Sequence, residues 1–332
     1  MSTVNKVTSL DVAKRAGVSR SAVSRVFTQG ASVSERTAKK VRDAAEALGY
    51  RPNVLARAML TGKSKIIGLV VAYLDNHFYP TVLELLSDAL EREGYHVLVF
   101  MASHTASDIE DVVSQILDYQ VDGLVLASVA LSSDLADRCR ASGVPVVLFN
   151  RMLETDGELA VVSDNRAGGR MAAEHLVQAG RTRIGHIAGW EGASTQRDRE
   201  AGLMEGLRAA GLGLFAREVG DFRLNRAQDA ARRMFDADAP PDAVFVANDY
   251  MAFGVLDVLR AELGIRVPED VAVIGFDDVP AAAWPAYGLT TLRQDAAAMV
   301  DATVKALLAE IGGQVAVAQT TLPVTLIQRN TA

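Results

Sequence analysis

Polar residues in this 332-residue chain recur where a strand would hand over to a loop, and their types suit recognition of a hydroxyl-rich ligand. Asp75-Asn76-His77-Phe78-Tyr79, Asn150-Arg151, Asp164-Asn165, Asn248-Asp249 and Asp277-Asp278 each follow an apolar run of strand type. Arg197-Asp198-Arg199 opens a helical stretch after the loop 189–194, and Asp221-Phe222 and Gln294 complete the set. Carboxylates and amide oxygens accept from hydroxyls, guanidinium and amide N–H groups donate to them, and Phe78 or Phe222 supplies a flat apolar platform. Each pair taken singly is open to a plainer reading, since Asp or Asn at the start of a helix caps it. Their repetition at strand ends argues for a pocket, because ligands of parallel α/β folds bind beyond the carboxyl ends of the strands.

Catalytic patterns do not accompany these residues. The sequence has no Gly-x-x-x-x-Gly-Lys-Ser/Thr phosphate loop, no Gly-x-Ser-x-Gly elbow and no His-Glu-x-x-His. Gly168-Gly169 lacks the spaced third glycine of a dinucleotide site. His77, His96, His104, His175 and His186 show no metal-ligand spacing. Cys139, alone in a helical stretch, reads as a small core residue rather than a nucleophile. A single cysteine permits no internal disulfide, which fits a reducing cytoplasm. No apolar run is long enough to span a bilayer, and Met1–Lys6 lacks the apolar region of a secretory signal. The expectation is a cytoplasmic binding protein with no enzymatic activity, no metal, no cofactor and no membrane partner.

The scaffold that would position the polar set is a repeated strand–helix alternation beginning at Ile66. Strands are expected at Ile66–Leu74, His96–Met101, Gly123–Ala127, Val144–Phe149 and Leu159–Ser163, with helices near 79–93, 108–119 and 132–141. A second series places helices near 165–179, 196–210, 225–236 and 249–262. Its strands fall at Ile184–Ala188, Glu218–Gly220, Ala243–Val246 and Val271–Gly275. Gly180, Gly211 and Gly264 stand where helices should stop. Two such runs imply two similar lobes, each a parallel sheet flanked by helices.

Residues 1–65 are of another kind. They carry a net charge of +9, whereas the remaining 267 residues carry −16, giving −7 for the whole. A basic head on an acidic body suggests a polyanion-binding module, although a basic solvated face would look alike. Within it, Val12, Ala13 and Ala16 form an apolar stripe at helical spacing, with Thr8 as cap and Asp11 three residues on. Gly17 can take the left-handed conformation that ends a helix, Val18 turns inward, and Ser19 can cap a second helix running to about Thr28. Ala22, Val23 and Val26 would face inward, and Arg20, Ser21 and Arg25 outward. Ser34 caps a third helix, about 35–48, stopped by Gly49. The first two helices have the layout of a helix-turn-helix, or of an ordinary amphipathic pair. Residues 53–60 have helix-forming composition but are too short to hold alone. They read as a hinge, or as a plain connector.

Taken together, the sequence resembles the LacI/GalR family of bacterial transcriptional regulators over essentially its whole length. The most specific stretch is Leu10-Asp11-Val12-Ala13-x-x-Ala16-Gly17-Val18-Ser19-x-x-Ala22-Val23-Ser24-Arg25-Val26, followed by Gly49-Tyr50-Arg51-Pro52-Asn53 and Ala56-Arg57. Val121-Asp122-Gly123-Leu124, Asp164-Asn165-x-x-Gly168-Gly169, Arg197-x-Arg199-x-x-Gly202, Asn248-Asp249-x-Met251-Ala252-x-Gly254, Val273-Ile274-Gly275-Phe276-Asp277-Asp278 and Leu289-Thr290-Thr291-Leu292-x-Gln294 look like core signatures.

The resemblance implies a small all-α helix-turn-helix headpiece (1–52), a hinge helix and linker (53–65), and an α/β two-lobed core of the periplasmic binding protein type I kind (66–332). Lobe 1 would hold about 66–163 and 293–322, and lobe 2 about 164–289 and 323–332, with crossings near Ser163, Leu289 and Leu322. It implies a homodimer on a near-palindromic double-stranded DNA operator, controlled by a small-molecule effector in the cleft. Arg20, Ser21 and Arg25 match base-reading positions, an Arg in the major groove preferring guanine. Thr8, Ser19, Ser24 and Ser34 look like phosphate contacts, and Asn53 and Ala56 match the hinge in the minor groove. Met59 stands where the family usually has a leucine wedge, and Leu60 where a basic or polar residue is common. For the effector the resemblance points to Phe78, Asn150, Arg199, Phe222, Asn248, Asp277 and Gln294, with Arg151 and Arg197 as second choices. Asn150 occupies a place often held by Asp, which leaves room for an anionic ligand, and His77 one where proline is common. The family's C-terminal leucine heptad has no counterpart before Ala332, so a dimer rather than a tetramer is expected. A sugar, polyol or sugar acid is the expected effector. A periplasmic-type solute-binding protein and an enzyme with a DNA-binding head are the competing classes.

Overall fold

The structure, a computed structural model, describes residues 7–27, 31–51, 63–72, 74–102, 106–127, 138–139, 141–152 and 158–332. The chain divides into two units, Met1–Lys65 and Ile66–Ala332.

The first unit is built on α1 (Ser9–Ala16), α2 (Arg20–Val26) and α3 (Glu35–Leu48). Each start is capped as its residue type dictates: the Thr8, Ser19 and Ser34 hydroxyls accept from the backbone N–H of Asp11, Ala22 and Thr37. At Thr8 the box closes, because Asp11 accepts in return from the Thr8 backbone N–H at 2.9 Å. Gly17 ends α1 at φ 64°. Val12, Ala13, Ala16, Val23, Val41, Ala44 and Ala45 form the core, flanked by Val18, Val26 and Leu48. Helix α2 ends at Val26, with Phe27 turning to meet Tyr50 at 6.0 Å between ring centroids.

The second unit contains two six-stranded sheets. The first runs β11-β5-β4-β3-β1-β2: Gln319–Leu322, Leu159–Ser163, Val146–Phe149, Gly123–Ala127, Ile66–Val71 and His96–Met101, all parallel. The second runs β12-β10-β9-β8-β6-β7: Val324–Ile327, Thr290–Gln294, Ala272–Asp277, Ala243–Val246, Ile184–Ala188 and Ala216–Val219. Only β12 in it is antiparallel. In chain order the flanking helices are α4 (Phe78–Arg92), α5 (Ala106–Asp118), α6 (Asn165–Gln178), α7 (Ser194–Ala209), α8 (Leu224–Phe235), α9 (Asp249–Asp257) and α10 (Ala296–Ile311). A π turn, Val258–Glu262, prolongs α9. The central strands β3, β4, β6, β8 and β9 are buried on both faces, which is why they read as unbroken apolar runs.

Several expected boundaries move. Strand β1 ends at Val71 rather than Leu74, because both its neighbours stop pairing there, at Met101 and Ala127. Strand β7 starts at Ala216 and helix α7 at Ser194, each two residues early. The crossing expected near Leu289 lies beyond Gln294, since Thr290–Gln294 pairs with β9 and β12 and belongs to the second sheet. Helix α10, which sequence reading left unassigned, then packs on α4 in the first lobe. The helix expected near 132–141 lies largely outside the described residues.

Helices α6 and α7 meet through glycines, at a spacing that side chains would prevent. A Cβ on Gly169 would overlap the Arg199 carbonyl and lie 2.7 Å from the Leu203 nitrogen, and one on Gly202 would overlap the Arg166 carbonyl. Gly169 is thus a helix contact that fixes the height of Arg199, while Gly168 lies against Phe276 and Val324 of the sheet. Gly169→Ala is expected to destabilise the protein by about 3 kcal/mol, because backbone rather than a flexible tip must yield. Gly213→Ala, where the added methyl meets nothing within 4 Å, should change stability by less than about 1 kcal/mol. Urea melts of the two variants test the contrast.

His186 lies wholly inside the second lobe, stacked on Phe245 at 5.3 Å, and burial lowers its pKa to about 4. The unfolded chain binds a proton near pH 6.5, so the folded state loses stability as pH falls below that value, until about pH 4. The loss should be about 1.4 kcal/mol per pH unit. His186→Gln should flatten the stability profile between pH 6.5 and 5 by about one proton's worth of slope, read from denaturant midpoints at each pH.

Candidate functional site

The carboxyl ends of the two sheets face each other, and the polar residues after their strands meet there. Asn76, after β1, donates to Asp277 at the end of β9 at 3.1 Å, joining residues 201 apart in sequence. Arg151, after β4, donates to the Thr195 hydroxyl on α7, and the Met152 N–H donates to Ser194 Oγ at 3.1 Å. These contacts cross from lobe to lobe, so whatever enters the site also touches the junction.

Arg199 and Asp277 form the centre. Both side chains are 3% exposed and lie 3.7 Å apart. Arg199 donates from Nε to Asn165 Oδ1 at 2.8 Å and from a terminal nitrogen to the Ala247 carbonyl, and its guanidinium lies 3.6 Å over the Phe276 ring. Gln294 Nε2 donates to Asp277 at 2.7 Å. Since Asp277 can only accept when ionised, the Gln294 amide is turned so that its Oε1 faces away, and that buried oxygen makes no hydrogen bond within the protein. The same holds for Asn150 Oδ1, whose amide nitrogen reaches Tyr79 Oη at 3.4 Å. Asn248 Oδ1 is spent on the cap of α9, leaving its amide NH2 as that side chain's donor.

Burial raises the pKa of Asp277, against the opposing pull of Arg199, Asn76 and Gln294. Asp249 is deeper still. It accepts from the Val279 N–H at 3.0 Å and from the Thr291 hydroxyl. Burial first, and the neighbouring Asp277 charge second, push it up to about 8. Arg199 faces Asp277, so of the two carboxyls Asp277 is the one favoured as the anion, while burial and that neighbouring charge favour the protonated form of Asp249. Asp278 is held by Arg293 and Arg329, each at 2.6 Å.

Backbone strain gathers here. Among the described residues, Asn150, Asp221, Phe222, Asp277 and Asp278 are five of the seven non-glycine residues with positive φ, Asp277 at 127°. The turn at Phe222 lays its ring on Gly189, where a side chain would collide, and within 5.8 Å of the Arg151 guanidinium.

Of the residues expected from sequence, Arg199, Asp277, Gln294, Asn150, Arg151, Asn248 and Phe222 gather at these strand ends. Phe78 is buried in the first lobe, stacked on Phe149 at 6.3 Å. Arg197 is exposed and donates to the Gly192 carbonyl of its own loop at 3.2 Å. The polar set read at the strand ends includes Asn76, Asn165 and Asp249, which stand outside the effector residues the resemblance implies, whereas Thr195 and Gln196 carry no sequence signal and Phe276 reads only as part of a core signature. Asp164 is indeed the cap of α6, which frees Asn165 to orient Arg199.

On the head, Arg20, Ser21, Ser24 and Arg25 lie exposed along α2. Arg20 Nε donates to Ser9 Oγ at 3.1 Å, and Ser19 and Ser21 share a 2.9 Å bond. The Thr8 and Ser34 hydroxyls donate within their own caps, to Asp11 and Thr37. Asn53, Ala56, Met59 and Leu60 lie outside the described residues.

Residues 8–53 match the family model of bacterial regulatory proteins of the lacI family, and residues 173–332 that of a periplasmic binding protein-like domain. The chain is 34% identical to the transcriptional regulator CelR of Thermobifida fusca, over 95% of this chain and 94% of the relative. Its structure resembles the lac repressor dimer bound to operator and the anti-inducer ONPF, with a TM-score of 0.89, 30% identity, and 98% and 99% of the two chains covered. It also resembles a CelR–cellobiose complex, with a TM-score of 0.74, 30% identity, and 98% and 100% covered. With its capped helical head, its paired parallel sheets and these likenesses along nearly the whole chain, the protein belongs to the lacI family of DNA-binding transcriptional regulators.

Proposed function

We propose that the protein is a repressor that binds a near-palindromic operator as a homodimer in the bacterial cytoplasm and answers to a small polar effector. The observation that carries this reading is the Arg199–Asp277 centre, which is at once a ligand-recognition set and part of the lobe junction through Asn76. A ligand that takes the Asp277 carboxylate competes with or reinforces the Asn76 bond, and so shifts the balance between lobe arrangements. Gln294 Oε1 and Asn150 Oδ1 are acceptors suited to ligand hydroxyls, and Arg151 adds a buried donor, so the effector is a sugar, polyol or sugar acid. Cellobiose, bound in the similar CelR complex, belongs to this class. On the head, Arg20, Ser21 and Arg25 read bases, while Thr8, Ser19, Ser24 and Ser34 set register on phosphates. Asn53, Ala56 and Met59 would then lie in the minor groove.

Selection of bound duplexes from a random library should return a two-fold repeat, with half-sites about one helical turn apart. Its affinity should fall steeply between 50 and 200 mM salt, by about 10³ or more for six phosphate contacts. Recovery of no preferred duplex would refute the assignment. Arg20→Ala should relax base preference at one position of each half-site and cost about 1–3 kcal/mol there, whereas equal weakening on every duplex would make Arg20 a phosphate contact. A thermal-shift panel of cellobiose, gluconate, sorbitol and adenine addresses the cleft. A true effector at about a hundred times its Kd adds about 2.7 kcal/mol, and Asp277→Asn should abolish that gain. Adenine alone producing a shift would overturn the sugar-type reading.

A further inference from the structure

Beside these strand-end residues lies a second polar assembly, which reaches them through Gly189 under the Phe222 ring and through the first turn of α7. Gln196, in the first turn of α7, is 1% exposed and satisfies three different elements with one amide. Its Oε1 accepts from the Gly189 N–H at 2.6 Å, and its Nε2 stands 3.0 Å from His186 Nε2 and donates to Glu200 at 2.9 Å. The protons can be assigned by elimination. His186 Nδ1 lies 2.9 Å from the Phe245 carbonyl, which can only accept, so Nδ1 carries the hydrogen. Nε2 of the neutral ring is then an acceptor, matching one N–H of Gln196 while the other serves Glu200. An imidazolium would point N–H at N–H, and turning the amide over would set its NH2 against the Gly189 N–H. The assembly closes only with a neutral imidazole, the state that burial enforces.

Its outer end is charged. Burial would push the Glu200 carboxyl up, but Arg217 on β7 donates to it at 2.7 and 3.0 Å and, with the Gln196 amide, holds it below the usual range. Arg217 also pairs with Glu191 of the 189–193 loop at 2.9 Å. Gly189, bonded to Gln196, is where the Phe222 ring rests, and Arg199 follows Gln196 by one helical turn.

We propose that Gln196 is a positioning residue of the effector cleft, pinning the 189–193 loop to α7 so that the Phe222 platform and the Arg199 guanidinium keep a fixed separation. His186 is its anchor and the Glu200–Arg217–Glu191 chain its outer brace. The proposal rests on the cleft being the effector site, but its structural content can be tested without any effector.

Hydrogen exchange of the full chain, followed by mass spectrometry and corrected for intrinsic rate, supplies the test. In Gln196→Met, which keeps the volume and removes all three bonds, peptides covering 188–194 and 220–224 should lose protection at least tenfold, while those covering β8 and β9 stay unchanged. Gln196→Glu keeps the shape and places a carboxylate against Glu200 and His186, with Arg217 and Glu191 behind. Its protection at 188–194 should fall as pH rises from 5 to 8, whereas in the natural chain protection does not fall over that range. A residue that merely fills space would show no such pH dependence. Unchanged protection in Gln196→Met, or a flat profile in Gln196→Glu, overturns the proposal. The same samples carry cellobiose and gluconate as probes. If exchange behaves as expected but neither probe nor any of the panel alters protection in the natural chain, the positioning role stands and the effector reading falls.

Discussion

A buried guanidinium facing a buried carboxylate is the constraint to which the rest of this core answers. Arg199 and Asp277 are withdrawn from water at the junction of two lobes, where desolvating either alone would cost several kcal/mol. The pair persists because nearly every donor and acceptor around it is assigned: Asn165, the Ala247 carbonyl and Phe276 hold the cation, while Gln294 and Asn76 hold the anion. Two carboxyls in one pocket cannot both be charged at low cost, and burial with the Asp277 charge beside it favours the protonated form of Asp249. The polarity of the strand-end junction is therefore preset by the protein itself.

Holding that pair at the right height is a backbone matter. Glycines at 169 and 202 let α6 and α7 approach until main chain meets main chain, so Asn165 on one helix reaches Arg199 on the next. On the far side, the strained turns at Asp221–Phe222 and Asp277–Asp278 aim side chains that ordinary turns would aim elsewhere. The Gln196 assembly and the Arg293–Asp278–Arg329 clamp brace those turns from behind. Strain at the strand-end rim is thus matched by satisfied polar networks one layer deeper.

The head follows a different economy. Its small alanine- and valine-rich core is stabilised by three side-chain caps and two left-handed glycines, Gly17 and Gly49. Among the described residues of the head, the basic residues of α2 lie at the surface, where they can meet a polyanion.

Much of this was legible from residue order alone. Caps at Thr8, Ser19 and Ser34, the stop at Gly17 and the apolar runs of the central strands depend on neighbours within a few positions, which is where a sequence carries its information most directly. The gathering of polar residues at strand ends followed from the βα alternation, because parallel strands share one carboxyl edge. What the order of residues could not settle were pairings made across the chain. The β10 strand reads like a linker until β9 and β12 flank it, and Asp249 reads like a cap until Gly275, Thr291 and Val279 enclose it. Phe78 sits in the apolar core of the first lobe, and Arg197, two residues from buried Arg199, turns to solvent. Composition and periodicity determined that there would be a helical basic head and two parallel sheets with polar rims. Which rim residues share a proton, a charge or a ligand was decided by the closure of one lobe on the other, since burial and Coulomb interaction act through space and not along the chain.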